Sequence, residues 1–110
     1  MIKADLVLEN GGLLKSCKVL GHAGAGKRGG DIVCAAVSVL VRTALRVLSG
    51  REDIRVRSGA PERGEFWLEA EGTAESREFL AVAGAFLSEG FLSVSEEFPE
   101  FCQVKIERRN

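Results

Sequence analysis

Apolar and polar residues alternate at the start of the chain, and this period of two predicts a strand with one buried face. The apolar positions of this strand are Ile2, Ala4, Leu6 and Leu8. The strand ends at Asn10-Gly11-Gly12, and Asn-Gly between two such runs is a strong signal for a tight hairpin turn. We therefore predict that residues 13–23 return antiparallel to the first strand. The predicted inward positions of this second strand are Cys17, Val19, Gly21 and Ala23.

A helical period replaces the alternation after residue 30. Asp31 is a favourable N-cap residue, and Ser49-Gly50 marks the end of the periodic run. The apolar residues between them are Val33, Val37, Leu40, Val41, Ala44, Leu45 and Leu48. Their spacing places them on one stripe, which predicts an amphipathic helix with a single buried face.

The remaining sequence predicts a second hairpin, a second helix and a last strand. Asp53–Ser58 and Glu65–Glu71 both alternate, Thr73 is a suitable helix cap, Pro99 ends the helix, and residues 101–107 alternate again. The predicted apolar positions of the second helix are Phe79, Val82, Ala83, Phe86, Gly90, Phe91 and Val94. The order ββαββαβ predicts an α+β fold, a two-layer sandwich in which two helices cover one face of a mainly antiparallel sheet.

The composition fits one small domain, which we expect to span residues 1–110. Hydrophobic residues make up 45% of the chain and charged residues 28%, a balance that supports a buried core and excludes a disordered protein. The three cysteines form no CxxC pair, which argues against a disulfide framework or a zinc ribbon and favours the reducing cytoplasm. The chain starts without the apolar core of a signal peptide, and its longest apolar run, Ile32–Val41, is too short to span a bilayer.

The formal net charge of -1 argues against a general nucleic-acid coat. The charge is nevertheless unevenly distributed along the chain. Residues 1–57 carry ten Lys/Arg and five Asp/Glu, whereas residues 58–110 carry five Lys/Arg and eleven Asp/Glu. This asymmetry is compatible with two faces of opposite sign in the folded protein.

The glycine-rich segment between the first hairpin and the first helix matches two nucleotide-binding patterns. Gly21 to Lys27 satisfies the P-loop pattern GxxxxGK, but Arg28 stands where the Mg²⁺-binding hydroxyl belongs. Gly24 to Gly29 satisfies the dinucleotide pattern GxGxxG, but in that fold the helix begins inside the motif, whereas here the predicted cap is Asp31. Both patterns are short, so we treat them as weak signals.

His22, the only histidine, and Cys34 form a more specific pair. With Asp31 as the cap, Cys34 is the third residue of the helix, where unpaired amides and the helix dipole stabilise a thiolate. His22 lies at the end of the preceding strand, and the connection is long enough to fold back and bring the imidazole to the sulfur. The alternative interpretation is a buried structural cysteine and an ordinary strand-end histidine.

The string GHA, the glycine-rich loop and then GDIVCAAVSVL from Gly30 to Leu40 closely resemble the bacterial ribosomal-processing cysteine proteases, the Prp family. The resemblance extends to the opening strand, the second helix and the Phe98-Pro99-Glu100 segment. It implies a cysteine endopeptidase that removes a short N-terminal extension from a large-subunit ribosomal protein, with Cys34 as nucleophile and His22 as general base. It also implies a homodimer that needs no metal or organic cofactor. We expect no membrane partner and no direct nucleic-acid contact.

Two further residues occupy motif positions. Asp31 either caps the helix or orients His22 as a third catalytic member. Ser38 lies one turn after Cys34, so its hydroxyl either bonds near the sulfur or bonds back to its own helix.

The loop glycines form a predicted substrate loop that closes over a bound peptide; they are Gly24, Gly26, Gly29 and Gly30. Two rival functions remain open at this stage. One is a non-catalytic module that binds phosphate or RNA through Lys27 and Arg28 at a helix N-terminus. The other is a redox sensor built on Cys34, for which no resolving cysteine is evident.

Overall fold

Two helices cover one face of a five-stranded sheet. The computed structural model describes residues 1–21 and 30–110, without the side chain of Asp31. The strands are β1 (Ile2–Glu9), β2 (Leu13–Leu20), β3 (Ile54–Gly59), β4 (Glu65–Gly72) and β5 (Cys102–Arg108), and the helices are α1 (Gly30–Ser49) and α2 (Arg77–Glu97). The predicted order ββαββαβ and the α+β sandwich are therefore confirmed.

The strand order across the sheet is β3-β4-β2-β1-β5. Both hairpins, β1 with β2 and β3 with β4, pair antiparallel, as does β2 with β4. Strand β5 pairs parallel to β1, because the chain reaches it by a crossover through α2. The starts of β1, β4 and β5 and the end of β2 consequently lie at the same end of the sheet, which we call the β2-exit end.

The alternation at the start of the chain forms the centre of the core. Every second residue of β1, from Ile2 to Leu8, is 2% exposed or less. The turn is also as predicted: Gly11 and Gly12 have φ values of 91° and 79°, a backbone conformation that glycine adopts at little cost. The amide of Gly12 donates to the carbonyl of Glu9 at 2.8 Å and closes the hairpin.

The second strand is shorter than predicted. Cys17 and Val19 are buried as expected, but β2 ends at Leu20, and Gly21 is exposed with φ at 97°. The prediction that Gly21 faces inward is therefore wrong, because a residue with that backbone angle no longer continues the pleat of a strand. Ala23 lies outside the described residues.

Helix α2 buries only part of the predicted stripe: Phe91 is buried and Phe79, Ala83 and Val94 pack against the core as expected, but the prediction is wrong for Val82 and Phe86. Its buried residues are Leu80, Gly84, Leu87, Ser88 and Phe91, whereas Val82 and Phe86 are 64% and 65% exposed. Small residues explain the difference, since a methyl group added at Gly84 would lie 2.5 Å from the carbonyl oxygen of Gly12. The hydroxyl of Ser88 donates to the carbonyl of Gly84 at 2.7 Å, so its burial leaves no unpaired polar group. The apolar pattern of α2 fits two faces, and close approach to the first hairpin selects one of them.

The start of the second helix is close to its predicted position. A 3-10 turn at Ala74–Ser76 precedes α2, with Thr73 at its N-cap. The amide of Thr73 donates to Oγ of Ser76 at 2.8 Å, and that hydroxyl donates to the carbonyl of Thr73 at 3.0 Å. These bonds satisfy backbone groups that the start of a helix leaves unpaired.

The open face of the sheet, the one that the helices do not cover, carries charges of both signs. Asp5 lies opposite Lys18 in the β1–β2 pairing, and Arg55 lies opposite Glu71 in the β3–β4 pairing. Here the hairpins pair basic positions with acidic ones, so the two signs are mixed on this surface. Such exposed cross-strand pairs contribute little to stability individually and keep the open face hydrated.

Both helices are long and apolar enough, by length and composition alone, to cross a bilayer. A core helix meets the same criterion. In this fold Val33 and Val37 of α1 and Leu87 and Phe91 of α2 lie in the core beneath the sheet. The apolar character of the two helices is therefore accounted for in part by the core that they share with the sheet.

Candidate active site

The two elements that flank the glycine-rich segment both reach the β2-exit end. Strand β2 ends with Leu20 opposite Lys3 of β1 and Glu65 of β4. Helix α1 packs on β3. The chain turns at Arg51, whose amide donates to the carbonyl of Leu48, and enters β3 at Ile54, opposite Gly72 at the far end of β4.

This connection gives α1 its direction. Because the C-terminus of α1 lies near the start of β3, the helix runs antiparallel to β3. Its 20 residues span about 30 Å, enough to return along the whole sheet. The first turn of α1, with Cys34 in the next turn, is thereby placed at the β2-exit end, where the strand that leads into His22 also finishes.

Cys34 is the most accessible of the three thiols. It is half-buried and packs against the edge of the core, whereas Cys17 and Cys102 are only 1% and 2% exposed. Burial and the nearby carboxylate of Asp5 raise the pKa of Cys17 to about 12, and burial also raises the pKa of Cys102. Both buried thiols are therefore held in the neutral form, which is a poor nucleophile.

The start of α1 differs from the predicted one. The helix is described from Gly30, so Asp31 lies within the first turn instead of at the N-cap, and Cys34 is the fifth residue, not the third. Backbone amides at the start of a helix have no acceptor within it, and Cys34 lies near this end of α1. The Cα–Cβ bond of a helical residue tilts toward the N-terminus, so the Cys34 thiol still projects back over the turn that carries these amides.

The two supporting residues are only partly defined by the structure. Ser38 is exposed one turn after Cys34, and its carbonyl accepts a hydrogen bond from Nε of Arg42 at 3.3 Å. The side chain of Asp31 lies outside the described part of the chain. A role for either residue beside the sulfur stays a prediction.

The segment that carries the remaining predicted residues is not described. His22, Gly24, Gly26 and Gly29 fall within residues 22–29, as do Lys27 and Arg28, while Gly30 is the first described residue of α1. The pairing of His22 with Cys34 and the role of the substrate loop therefore stay predictions, supported by the direction of the two flanking elements.

The sequence analysis missed a backbone link at the edge of this segment. The amide of Gly21 donates to the carbonyl of Gly64 at 2.9 Å, and both glycines have positive φ, 97° and 83°. Gly64 belongs to the turn between β3 and β4, which the pattern identified only as a connection. The available signal was a glycine at the position where the alternation of β2 stops.

A family model described as cysteine protease Prp matches residues 1–103 of the chain. The protein belongs to the Prp family of cysteine proteases. Cys34 is the accessible thiol of this Prp chain, and its position at the start of α1 suits the chemistry of the family. No curated protein matches the chain significantly.

Solved structures share the fold over nearly the whole chain. The crystal structure of SMU.848 from Streptococcus mutans is 32% identical and aligns with a TM-score of 0.81 over 98% of this chain and 95% of its own. An essential ribosomal processing protease Prp from S. aureus, in complex with a covalently linked product peptide, is 21% identical with a TM-score of 0.80 over 97% of this chain and 100% of its own. The same S. aureus protease in complex with a substrate peptide aligns with a TM-score of 0.80 at 19% identity, over 97% of this chain and 100% of its own. At these identities the two S. aureus structures establish the shared fold.

Proposed function

We propose that this Prp-family protein is a cysteine endopeptidase that removes a short N-terminal extension from a large-subunit ribosomal protein, with Cys34 as nucleophile and His22 as general base. One observation carries the assignment of the nucleophile. Of the three thiols, only that of Cys34 is accessible, and it lies near the N-terminus of a helix at the sheet end where β2 leads into His22.

The burial of the other cysteines makes them poor candidates for the same role. A nucleophile must reach a scissile carbonyl, and the thiols of Cys17 and Cys102 lie beneath the helices with raised pKa values. The fold thus separates two structural cysteines from one that a peptide can approach.

The proposed reaction proceeds through a thioester. The imidazole of His22 takes the proton of Cys34, and the thiolate attacks the scissile carbonyl carbon. When the tetrahedral intermediate collapses, the C–N bond breaks and the protonated imidazole gives its proton to the leaving amine. Water, deprotonated by the same imidazole, then attacks the thioester, releases the carboxylic acid and restores the thiol.

The first turn of α1 is suited to stabilise the charge that develops on the carbonyl oxygen. Amides at the start of a helix have no acceptor within it, and the Cys34 side chain leans back toward that start of α1. Preorganised backbone donors of this kind contribute a large share of catalysis in acyl transfer. We assign the oxyanion contact to this turn. No metal or organic cofactor is needed for these steps.

The ribosomal substrate is the finer part of the proposal. It is supported by the family and by the S. aureus relative, a ribosomal processing protease in complex with product and substrate peptides. We further propose a homodimer that works in the reducing cytoplasm. Exposed apolar side chains on both helices support the dimer, and three cysteines outside any disulfide support the compartment.

Incubation of the purified protein with the precursor ribosomal protein of the same organism, followed by mass measurement of the products, tests this function. We expect two products whose masses sum to that of the precursor plus water. Cys34→Ser should abolish cleavage, and His22→Ala should reduce it by at least about a hundredfold, the usual scale for loss of a general base. Cys102→Ala is the matched control, because it removes a thiol that is only 2% exposed and that a peptide cannot reach.

The outcomes separate the proposal from its rival. An intact precursor with the native protein, or full cleavage by the Cys34→Ser variant, would contradict a cysteine peptidase. Binding of RNA or phosphate that weakens steeply with salt and survives Cys34→Ser, without cleavage, would favour an anion-binding module instead.

A further inference from the structure

We propose that Gly21 is a positioning residue for the peptidase reaction, and that its backbone, fixed between Met1 and Gly64, sets the direction in which the chain delivers His22 toward Cys34. This inference rests on the function proposed above. It adds two glycine positions, in elements far apart in the sequence, to the apparatus that holds the general base.

On one side, Gly21 lies against the first strand. A methyl group added at Gly21 would lie 2.5 Å from the carbonyl oxygen of Met1 and 3.9 Å from Cα of Ile2. The first of these distances is too short for any real contact, and the neighbour is backbone, which cannot move aside as the end of a side chain would. The φ of 97° independently requires glycine. Two separate constraints therefore exclude a side chain here.

On the other side, Gly21 is tied to the turn between β3 and β4. Its amide donates to the carbonyl of Gly64 at 2.9 Å, immediately beyond the last ladder pair, Leu20 with Glu65. Gly64 itself has φ at 83°, so the direction of its carbonyl depends on a glycine conformation. The chain is thus held on both flanks at the last residue before His22.

A fixed direction at this residue matters because His22 follows directly along the chain. A strand that continued past Leu20 with ordinary angles would carry the backbone straight on along the sheet, whereas the positive φ of Gly21 turns the backbone out of the pleat. A general base must lie within hydrogen-bond distance of its thiol, and a displacement of about 1 Å costs on the order of a hundredfold in rate. The Gly64 bond and the closeness of the Met1 carbonyl fix the backbone from which the chain continues to His22.

Three variants test the proposal. For each we would measure kcat and KM on a peptide that spans the cleavage site of the precursor ribosomal protein. The rate of Cys34 alkylation at pH 7 and the thermal midpoint of unfolding complete the comparison. Gly21→Ala acts at the residue itself. Gly64→Ala strains the acceptor without changing any residue near His22 in the sequence. Gly12→Ala is the matched control, since Gly12 also has a positive φ, 79°, but has nothing within 4 Å of an added methyl group and lies at the opposite end of the sheet.

We expect Gly21→Ala and Gly64→Ala to lower kcat by at least about tenfold, which is about 1.4 kcal/mol of barrier, with KM changed by less than about threefold and slower alkylation of Cys34. Gly12→Ala should lower the thermal midpoint and leave kcat and alkylation unchanged. Gly64→Asn should recover most of the kcat lost in Gly64→Ala, because asparagine tolerates positive φ better than alanine.

Folded Gly21→Ala and Gly64→Ala proteins with native kcat and native Cys34 alkylation would overturn the proposal. If Gly21→Ala does not fold, the kcat values of Gly64→Ala and Gly64→Asn test the proposal instead. If neither alanine variant folds, the Gly21–Gly64 hydrogen bond serves stability alone, and the proposal is overturned as well. An inactive native protein would instead refute the proposed function, so the two failures are distinguishable.

Discussion

Gly90 of α2 faces Leu40 of α1 so closely that a methyl group on Gly90 would lie 2.9 Å from Cδ2 of the leucine. The glycine lets the two helices approach and seats the leucine between them. Phe86, one turn earlier on α2, remains 65% exposed, and Val39, next to Leu40, is 53% exposed. Both helices therefore carry an exposed apolar side chain close in sequence to this contact.

These exposed apolar side chains lead to a prediction about assembly. If the proposed homodimer forms through the outer face of the helices, Phe86→Asp should shift the protein from twice its mass to the monomer of 11.8 kDa at micromolar concentration. Sedimentation equilibrium measures the change. Gln103→Asp is the control, since it adds the same charge at an exposed position on the open face of the sheet. A native protein that sediments as a monomer would refute the dimer.

The three thiols should differ in their reaction with iodoacetamide at neutral pH. We expect Cys34 to be alkylated at least about tenfold faster than Cys17 or Cys102, because the latter two are almost completely buried with raised pKa values. Peptide mapping by mass spectrometry after timed labelling measures each rate. The order should disappear in denaturant, where burial no longer separates the thiols. Equal labelling of all three in the folded protein would contradict the prediction.

Much of the fold was predictable because local patterns and packing agreed. The alternation of β1, the Asn10-Gly11 turn and the valine stripe of α1 each had a single solution, and the structure adopts it. Helix α2 was harder, because its apolar residues fit two faces. The choice depended on Gly84 and Ser88, small residues that a hydrophobic pattern does not count but that permit close approach to the first hairpin.

The site was predictable only in part. Cys34 was identified from its position near a helix start, and the structure adds that it is the accessible thiol. The link between Gly21 and Gly64 was missed, because it joins residues 43 positions apart in the chain and is made by backbone atoms. A pattern of side chains contains no information about which carbonyl a strand-end amide will meet.

Gly84→Ala should destabilise the protein without altering the active site. The added methyl group would meet the carbonyl of Gly12 at 2.5 Å, so α2 and the first hairpin must separate, at a cost of about 1–3 kcal/mol. Gly50→Ala is the matched control, because the nearest atoms to its added methyl group lie 3.6 Å away, an ordinary contact. Urea unfolding should show the loss only for Gly84→Ala. An unchanged urea midpoint for Gly84→Ala would mean that α2 and the first hairpin move apart at no cost in stability.

The raised pKa of Cys17 predicts a loss of stability at alkaline pH. The thiol titrates near 9 when unfolded but only at about 12 in the folded protein, where burial and Asp5 oppose the thiolate. Between these values the unfolded state has released a proton that the folded state retains. Unfolding is thus favoured by about 1.4 kcal/mol for each pH unit, and the stabilisation present below pH 9 is lost as the pH rises toward 12.

Comparison of native protein with Cys17→Ala by urea unfolding at pH 8 and pH 10 isolates this contribution from other titrating groups. The native protein should lose about 1.4 kcal/mol more than the variant over this interval. Equal losses in the two proteins would show that the Cys17 thiol titrates alike in both states.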